Sequence, residues 1–454
     1  MSSFDRSLRT LIERPSLGLA AIFGLALSIR LFALFATEPT LPAGDEWDYF
    51  RRAVNLAQGN PAADPSGRAP ALIALYAAVF ELFHPWALLA RGVNTLLGSA
   101  LVLPVYVLGR ALGRERVGLL AALIVALYPT FIAFSHFLWA EPLYMLLVTS
   151  GTALLLLDLE QRAYWKLALA GFAFGLSALS KESGVLFPVV AVGWLWVREW
   201  REGRSAALRA GVIALVFCLT IAPRVIQINE PGAPFALITR TTAMNLYVGN
   251  NPFGAGTAME HYSTLSPDRL EAEAKARELA LQYIERRMPW WPFEKVAKQL
   301  PNFFTPNSFA IRRLLMPAGD PGNWGYRFRW DVGQRMEVRV ALVVACLLAY
   351  VTVTLSGVAG LILSRRQAAA SLFSLFIASQ IAPSIVTFAM SRFRLPSMAF
   401  LAVGAASLWL LGRGAEGDWA AASARRRVLA VGVCALVGVL IAVGYESVLR
   451  STGR

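Results

Sequence analysis

The chain has 454 residues, 56% of them hydrophobic and only 16% charged, against about 25% charged in an ordinary soluble protein. That balance excludes a soluble enzyme and describes a protein threaded repeatedly through a membrane. A net charge of +14 would suggest nucleic acid to a soluble chain, but most of the excess falls in short loops between apolar runs, where it reports topology; no nucleic-acid partner is expected.

Arg6, Arg9 and Arg14 place the N-terminus in the cytoplasm. Leu17–Ala36 follows, long enough to span and without a cleavage site, so it is read as a retained first span. Ten more apolar segments are predicted to cross: Ala87–Leu108, Val117–Phe134, Pro142–Leu157, Leu167–Ser180, Gly184–Val197, Ala210–Ile226, Val338–Leu363, Ser371–Met390, Leu395–Leu411 and Val428–Tyr445. The expected fold is an all-α integral membrane bundle of about eleven transmembrane helices. Alternate loops carry Arg110, Arg114 and Arg116; Arg162 and Lys166; Arg198, Arg201, Arg204 and Arg209; Arg365 and Arg366; and Arg413 with Arg425 to Arg427. All fall on one side, as the positive-inside rule requires. Three parts follow: a membrane module over 1–226 holding a first outer loop (37–86), an outer-face loop over 227–337, and C-terminal membrane helices over 338–454. Cys218, Cys346 and Cys434 lie in apolar segments and read as packing residues.

Between the first two spans stands Gly44-Asp45-Glu46-Trp47-Asp48-Tyr49-Phe50. Trp47, Phe50, Val54 and Ala57 share one helical face, so a short helix is predicted on the outer membrane surface, ended by Gly59 and Pro61. Asp45 either caps that helix, with Asp48 completing a capping-box-like pair, or serves chemistry. Pro70 to Phe83 is too short to span and is expected as an interfacial or re-entrant helix near Asp45. In the long outer loop, Pro267 to Met288 is predicted as an amphipathic helix starting at Ser266-Pro267. The stretch from Pro289 to Pro306, rich in Trp, Phe and Pro, suits the headgroup layer.

The cytoplasmic loops are short and basic, and no GxxxxGK[ST] sequence is present. A nucleotide-activated donor has nowhere to bind. The acidic groups and the sizeable hydrophilic segment face outward, so an enzyme of this build takes its activated donor from a lipid. Candidate residues are those at the outer helix mouths. Glu141, just before Pro142, either starts its helix beside the dipole or joins Asp45 and Glu46 as hard ligands of a divalent cation or as a base. His136 is a further candidate ligand. Lys181, Arg224, Arg392 and Arg394 stand outside against the charge rule. They either anchor to headgroups or grip a lipid phosphate, for which arginine offers a planar fork. Asn245 to Gly256, with Asn250 and Asn251, is either a turn or the wall of a sugar pocket.

Several of these stretches together resemble the GT-C glycosyltransferases. The similar branch holds protein O-mannosyltransferases, the aminoarabinose transferase of lipid A and bacterial family 39 relatives. The resemblance rests on Asp45-Glu46 with Tyr49, Ala53, Leu56 and Gly59, and on Glu141-Pro142-Leu143. It rests also on Gly175-Leu176-Ser177-Ala178-Leu179-Ser180-Lys181, Asn245-Leu246-Tyr247-Val248-Gly249-Asn250-Asn251-Pro252 and Arg392-Phe393-Arg394-Leu395-Pro396, in family order. It implies a GT-C-like bundle with outer-face interfacial helices in the bacterial cytoplasmic membrane. The implied activity is sugar transfer, usually inverting, from polyprenyl phosphate to a lipid, glycan or protein acceptor on the outer face. By analogy Asp45 is the general base, Glu46 and Glu141 position metal or acceptor, and Lys181, Arg392 and Arg394 hold the donor phosphate. The outer loop lacks the appended domain of some relatives, which leaves the acceptor class open. The competing class is a transporter or flippase of lipid-linked sugars. That class would place ionisable groups near the bilayer midplane rather than at helix mouths.

Overall fold

The computed structural model describes residues 14–38, 44–60, 67–229, 235–253, 255–306, 311, 328–330, 333, 335–364, 367–411 and 422–452. The expected topology charges Arg6, Arg9, Arg365, Arg366 and Arg413, and outer-loop residues 312–327, lie outside them. The described chain is built from helices, with one isolated antiparallel bridge between Thr37 and Phe328. In order they are α1 (Pro15–Ala36), α2 (Asp45–Ala57), α3 (Ala71–Leu82), α4 (Ala87–Ala100), α5 (Val102–Leu112), α6 (Glu115–Leu127) and α7 (Pro129–Phe134). There follow α8 (Glu141–Gln161), α9 (Tyr164–Ser180), α10 (Leu186–Glu199), α11 (Arg204–Ile228), α12 (Thr242–Gly249), α13 (Ala255–Thr264), α14 (Arg269–Arg286) and α15 (Trp291–Phe304). The chain closes with α16 (Met336–Leu363), α17 (Gln367–Val386), α18 (Leu395–Leu411) and α19 (Ala424–Thr452).

Among the described residues, eight helical stretches are long and apolar enough to cross a membrane, with α4 and α5 acting as one. The three remaining expected spans are each built from shorter helices: α6 with α7, α9 alone, and the 3-10 turn Glu182–Val185 with α10. Helix α3 has twelve residues and packs on α2, with Phe80 set edge-on against Phe50 and Leu72, Ile73, Tyr76 and Ala77 buried beside it. The buried stripe of α2 is Glu46, Tyr49 and Ala53. The Trp47–Phe50 face therefore lies beside the packed face, with Trp47 left exposed. Helix α14 starts at Asp268, whose carboxylate accepts the Glu271 N–H at 2.8 Å, two residues past the expected Ser266.

One device in the bundle has no counterpart in the hydropathy pattern. Pro129 interrupts α6 and α7 and has no N–H, so the Val125 carbonyl loses its helical donor. Arg30, inside the first span and fully buried, supplies it. Its guanidinium donates to the Val125, Ala126 and Ala26 carbonyls at 3.3, 3.0 and 3.1 Å and to Ser135 Oγ at 3.2 Å. A cation at a helix C-terminus meets the negative end of the dipole, so Arg30 is paid for by carbonyls and needs no carboxylate.

Helices α16 and α18 approach backbone to backbone. A Cβ added at Gly360 would lie 1.9 Å from the Gly404 carbonyl oxygen, whereas one at Gly24 meets nothing within 4 Å. Overpacking by one side chain costs about 1–3 kcal/mol where neighbours can give, and here the neighbour is main chain. Gly360→Val is expected to lower the melting temperature in detergent or abolish expression, and Gly24→Val to leave both unchanged. Equal melting of the two variants would refute this packing.

Candidate active site

The N-terminal ends of α2 and α8, the C-terminal end of α9 and the turn before α18 meet at one place. Helix α2 enters through Gly44, whose φ of 99° suits glycine alone among common residues. No side chain caps this helix, so Asp45 is not used as a cap. One Asp45 oxygen receives Arg68 Nη2 at 2.5 Å and the other receives Arg392 Nη1 at 2.9 Å. Arg68 spreads its fork across a helical turn, giving Nε to Asp48 at 2.8 Å, while Arg52 Nε holds the other Asp48 oxygen at 2.9 Å. The Arg68 guanidinium stands 5.1 Å from the centre of the Tyr49 ring, and Arg392 stands 5.0 Å from Trp139.

A second pair lies alongside. Glu141, the first residue of α8, is buried and accepts from Lys181 Nζ at 2.9 Å. The Phe393 ring stands between the two pairs, 5.0 Å from the Lys181 ammonium and 5.7 Å from the Arg392 guanidinium. The side chains of Asp45, Arg68, Arg392 and Lys181 are 21% to 28% exposed, against 5% for Glu141. The first four are thus the partly exposed members of the cluster, and Glu141 is its buried one.

Five cations (Arg51, Arg52, Arg68, Arg392 and Lys181) pair here with three carboxylates (Asp45, Asp48 and Glu141), so positive charge is in excess. Burial alone would raise the Asp45 carboxyl, but Arg68 and then Arg392 outweigh it and hold it at about 2. Asp48 is lowered in the same way: burial raises it, and the bonds from Arg68 and Arg52 prevail. Burial lowers Lys181, and the attraction of Glu141 offsets only part of that.

The other expected site residues stand elsewhere. Glu46 is fully buried, accepts the Leu138 N–H at 3.0 Å and lies 3.8 Å from Arg91. It fastens α2 to the turn before α8. His136 Nε2 bonds the Arg30 carbonyl at 2.9 Å, and burial pushes its imidazole down to about 4. Arg224 donates to the carbonyls of Ile238 and Arg68 at 2.9 and 3.0 Å and to Gln227, so it braces the main chain behind Arg68. Arg394 turns away to the carbonyls of Phe303 and Thr305 at the end of α15, with Tyr350 4.1 Å below it. Asn250 bonds Leu246, Val386 and Trp291, and Asn251 folds onto Tyr247, Val248 and Phe253. Both asparagines are turn-builders here.

Arg68, which follows Gly67 between the first two spans, carries the same signal in the sequence as Lys181 and Arg392: a cation where the charge rule expects none.

A divalent cation would have to compete with the cations that now hold these side chains. Both Asp45 oxygens and the Glu141 oxygen facing Lys181 are already occupied by cations, and His136 bonds a carbonyl elsewhere. Among the described residues, no three His, Cys, Asp or Glu side chains converge as a ligand set.

Comparison with known proteins bears on the fold. Residues 67–225 match the model of the dolichyl-phosphate-mannose-protein mannosyltransferase family. No curated protein matches the chain in sequence. Among solved structures, the archaeal oligosaccharyltransferase AglB from Archaeoglobus fulgidus, in complex with an inhibitory peptide and a dolichol-phosphate, is similar at 16% identity and a TM-score of 0.55, over 98% of this chain and 55% of that one. The Archaeoglobus fulgidus oligosaccharyltransferase complex with Zn and sulfate is similar at 18% identity and a TM-score of 0.53, over 93% and 52%. ArnT from Cupriavidus metallidurans, bound to undecaprenyl phosphate, aligns at 15% identity and a TM-score of 0.43, over 86% and 78%. The chain spans about half the length of the oligosaccharyltransferase chains it matches. By a family-model match over residues 67–225 and a fold shared over nearly its whole length, the chain is a multi-pass membrane protein that resembles the GT-C glycosyltransferases.

Proposed function

We propose that this protein transfers a sugar from a polyprenyl-phosphate donor to an acceptor hydroxyl or amine at the outer face of a bacterial cytoplasmic membrane. The acceptor belongs to a lipid, glycan or protein. One observation carries the reading: two arginine forks rest on the two oxygens of one partly exposed carboxylate, beside a lysine held by a buried glutamate.

A carboxylate held at about 2 is a poor base near neutral pH. A donor phosphate competes for Arg68 and Arg392, which suit its oxygens geometrically. As they turn to the phosphate, Asp45 loses its partners and regains basicity. It then takes the proton of the acceptor. The acceptor oxygen or nitrogen bonds the anomeric carbon as the bond from that carbon to the phosphate oxygen breaks. A single displacement of this kind inverts the anomeric centre. Arg68, Arg392 and Lys181 absorb the charge that develops on the departing polyprenyl phosphate. Glu141 keeps Lys181 in place, and Tyr49 carries Arg68 on its ring. A transporter reading gains no support from the one cation buried inside the first span, because Arg30 is satisfied by carbonyls and Ser135.

The activity is tested with purified full-length protein, synthetic polyprenyl-phosphate sugars and mass spectrometry of envelope lipids and glycans from cells with and without the gene. A product that carries the donor sugar and depends on the gene is expected; identical profiles would refute transfer. The outer placement is tested with single cysteines in a background cleared of Cys218, Cys346 and Cys434. Ser263→Cys should label from outside intact cells and Ser205→Cys only after permeabilisation. Labelling of both from outside would refute the orientation.

A further inference from the structure

Helix α15 presents two faces. Trp290, just before it, and Phe293 and Val296 within it are exposed, while Lys295, Gln299 and Phe303, spaced four apart, are buried. The Lys295 ammonium donates to the carbonyls of Gly249 at 2.8 Å and Thr387 at 2.5 Å. Gly249 ends α12, and Thr387 follows α17. Carbonyls at helix ends lack helical donors and carry partial negative charge, so a buried cation is at home between two of them. The two chain ends also touch directly: a Cβ at Gly249 would lie 1.9 Å from the Thr387 oxygen. Further along α15, Gln299 Oε1 accepts the Ala389 N–H at 2.8 Å, and the Phe303 carbonyl accepts from Arg394 at 2.9 Å. The segment 387–394 is thus fastened to α15 at three levels, and Arg392 lies between the second and third.

We propose that Lys295 is a positioning residue: its ammonium ties the ends of α12 and α17 to α15 and thereby sets Arg392 against Asp45. This rests on the reading of Arg392 as a donor-phosphate ligand. The exposed aromatic face of α15 adds that the tie is made at the membrane surface, where the lipid donor arrives.

The test measures binding of polyprenyl monophosphate to the purified full-length protein. Lys295→Met should weaken binding about tenfold and Lys295→Arg should restore most of it, while the KM for acceptor stays unchanged. The double variant Lys295→Met with Arg392→Gln should bind no worse than Arg392→Gln alone, because both act on one contact. Wild-type binding by Lys295→Met, or additive losses in the double variant, would overturn the proposal. If Lys295→Met fails to fold, Gln299→Leu removes only the Ala389 bond and should weaken donor binding in the same direction; unchanged binding there overturns it as well. If the wild-type protein binds no polyprenyl phosphate, the transfer reading falls. Hydrogen exchange across 387–394 in donor-free protein then decides the tie alone, with faster exchange in the Lys295 variant expected and equal exchange refuting it.

Discussion

Asp45→Asn should lower sugar transfer by about 10²–10⁴-fold, the usual contribution of a positioned general base, in a protein that still inserts and melts normally. Asparagine keeps the size of the side chain and one oxygen for Arg68 or Arg392, so the local packing survives. It cannot accept the acceptor's proton. Because no side chain caps α2, loss of a cap cannot explain the result. The control is Glu46→Gln, which alters a fully buried carboxylate near Arg91 and bonded to Leu138. That change should be read first as lost thermal stability. Near-normal turnover in Asp45→Asn would remove Asp45 as the base.

Arg68→Lys and Arg392→Lys should each weaken donor use about ten- to a hundredfold, since a charge-assisted bond is worth roughly 1.5–3 kcal/mol and lysine keeps the charge but loses the fork. Both arginines are partly exposed and meet at one carboxylate, so both should raise the donor KM more than the acceptor KM. Arg394→Lys should behave differently. Its guanidinium closes the end of α15 over Tyr350, so the expected effect is on melting temperature, with donor KM unchanged in the folded fraction. Kinetics with a purified lipid-linked donor separate the cases. If Arg68→Lys and Arg392→Lys both match wild type, the phosphate is not held by these forks.

The different fates of Arg392 and Arg394 show where sequence reading stops. The sequence treats Arg392 and Arg394 alike, and an extended segment would put residues two apart on one side. The chain instead forms a 3-10 turn over Ser391–Arg394, in which each residue turns about 120°. Residues two apart then diverge, and one arginine serves the site while the other serves α15. The charge was legible, but the local period was not. Apolar length showed the spans, and the charges at helix mouths pointed to Glu141, Lys181 and Arg392, which the structure brings together. Asp45 was legible as either a cap or a site residue, and its arginine partners lie too far off in sequence to be read there. The Arg68–Asp45 contact joins residues 23 apart across a loop, a closure that no helical or strand period encodes. The stretch with Asn250 and Asn251 reads in sequence equally as a turn or as the wall of a sugar pocket; in the structure both amides donate to main-chain carbonyls, as asparagine does in turns.

The most direct measurement is equilibrium binding of polyprenyl monophosphate to wild type, Asp45→Asn, and the pair Arg68→Gln and Arg392→Gln, all as full-length protein. If the phosphate displaces Asp45 from its two arginines, Asp45→Asn frees those forks in advance. It should then bind polyprenyl phosphate at least as tightly as wild type while transferring no sugar, and the two arginine variants should lose binding. If Asp45→Asn loses binding together with the arginine variants, the carboxylate belongs to the phosphate site itself, and its release as the base on donor binding is contradicted.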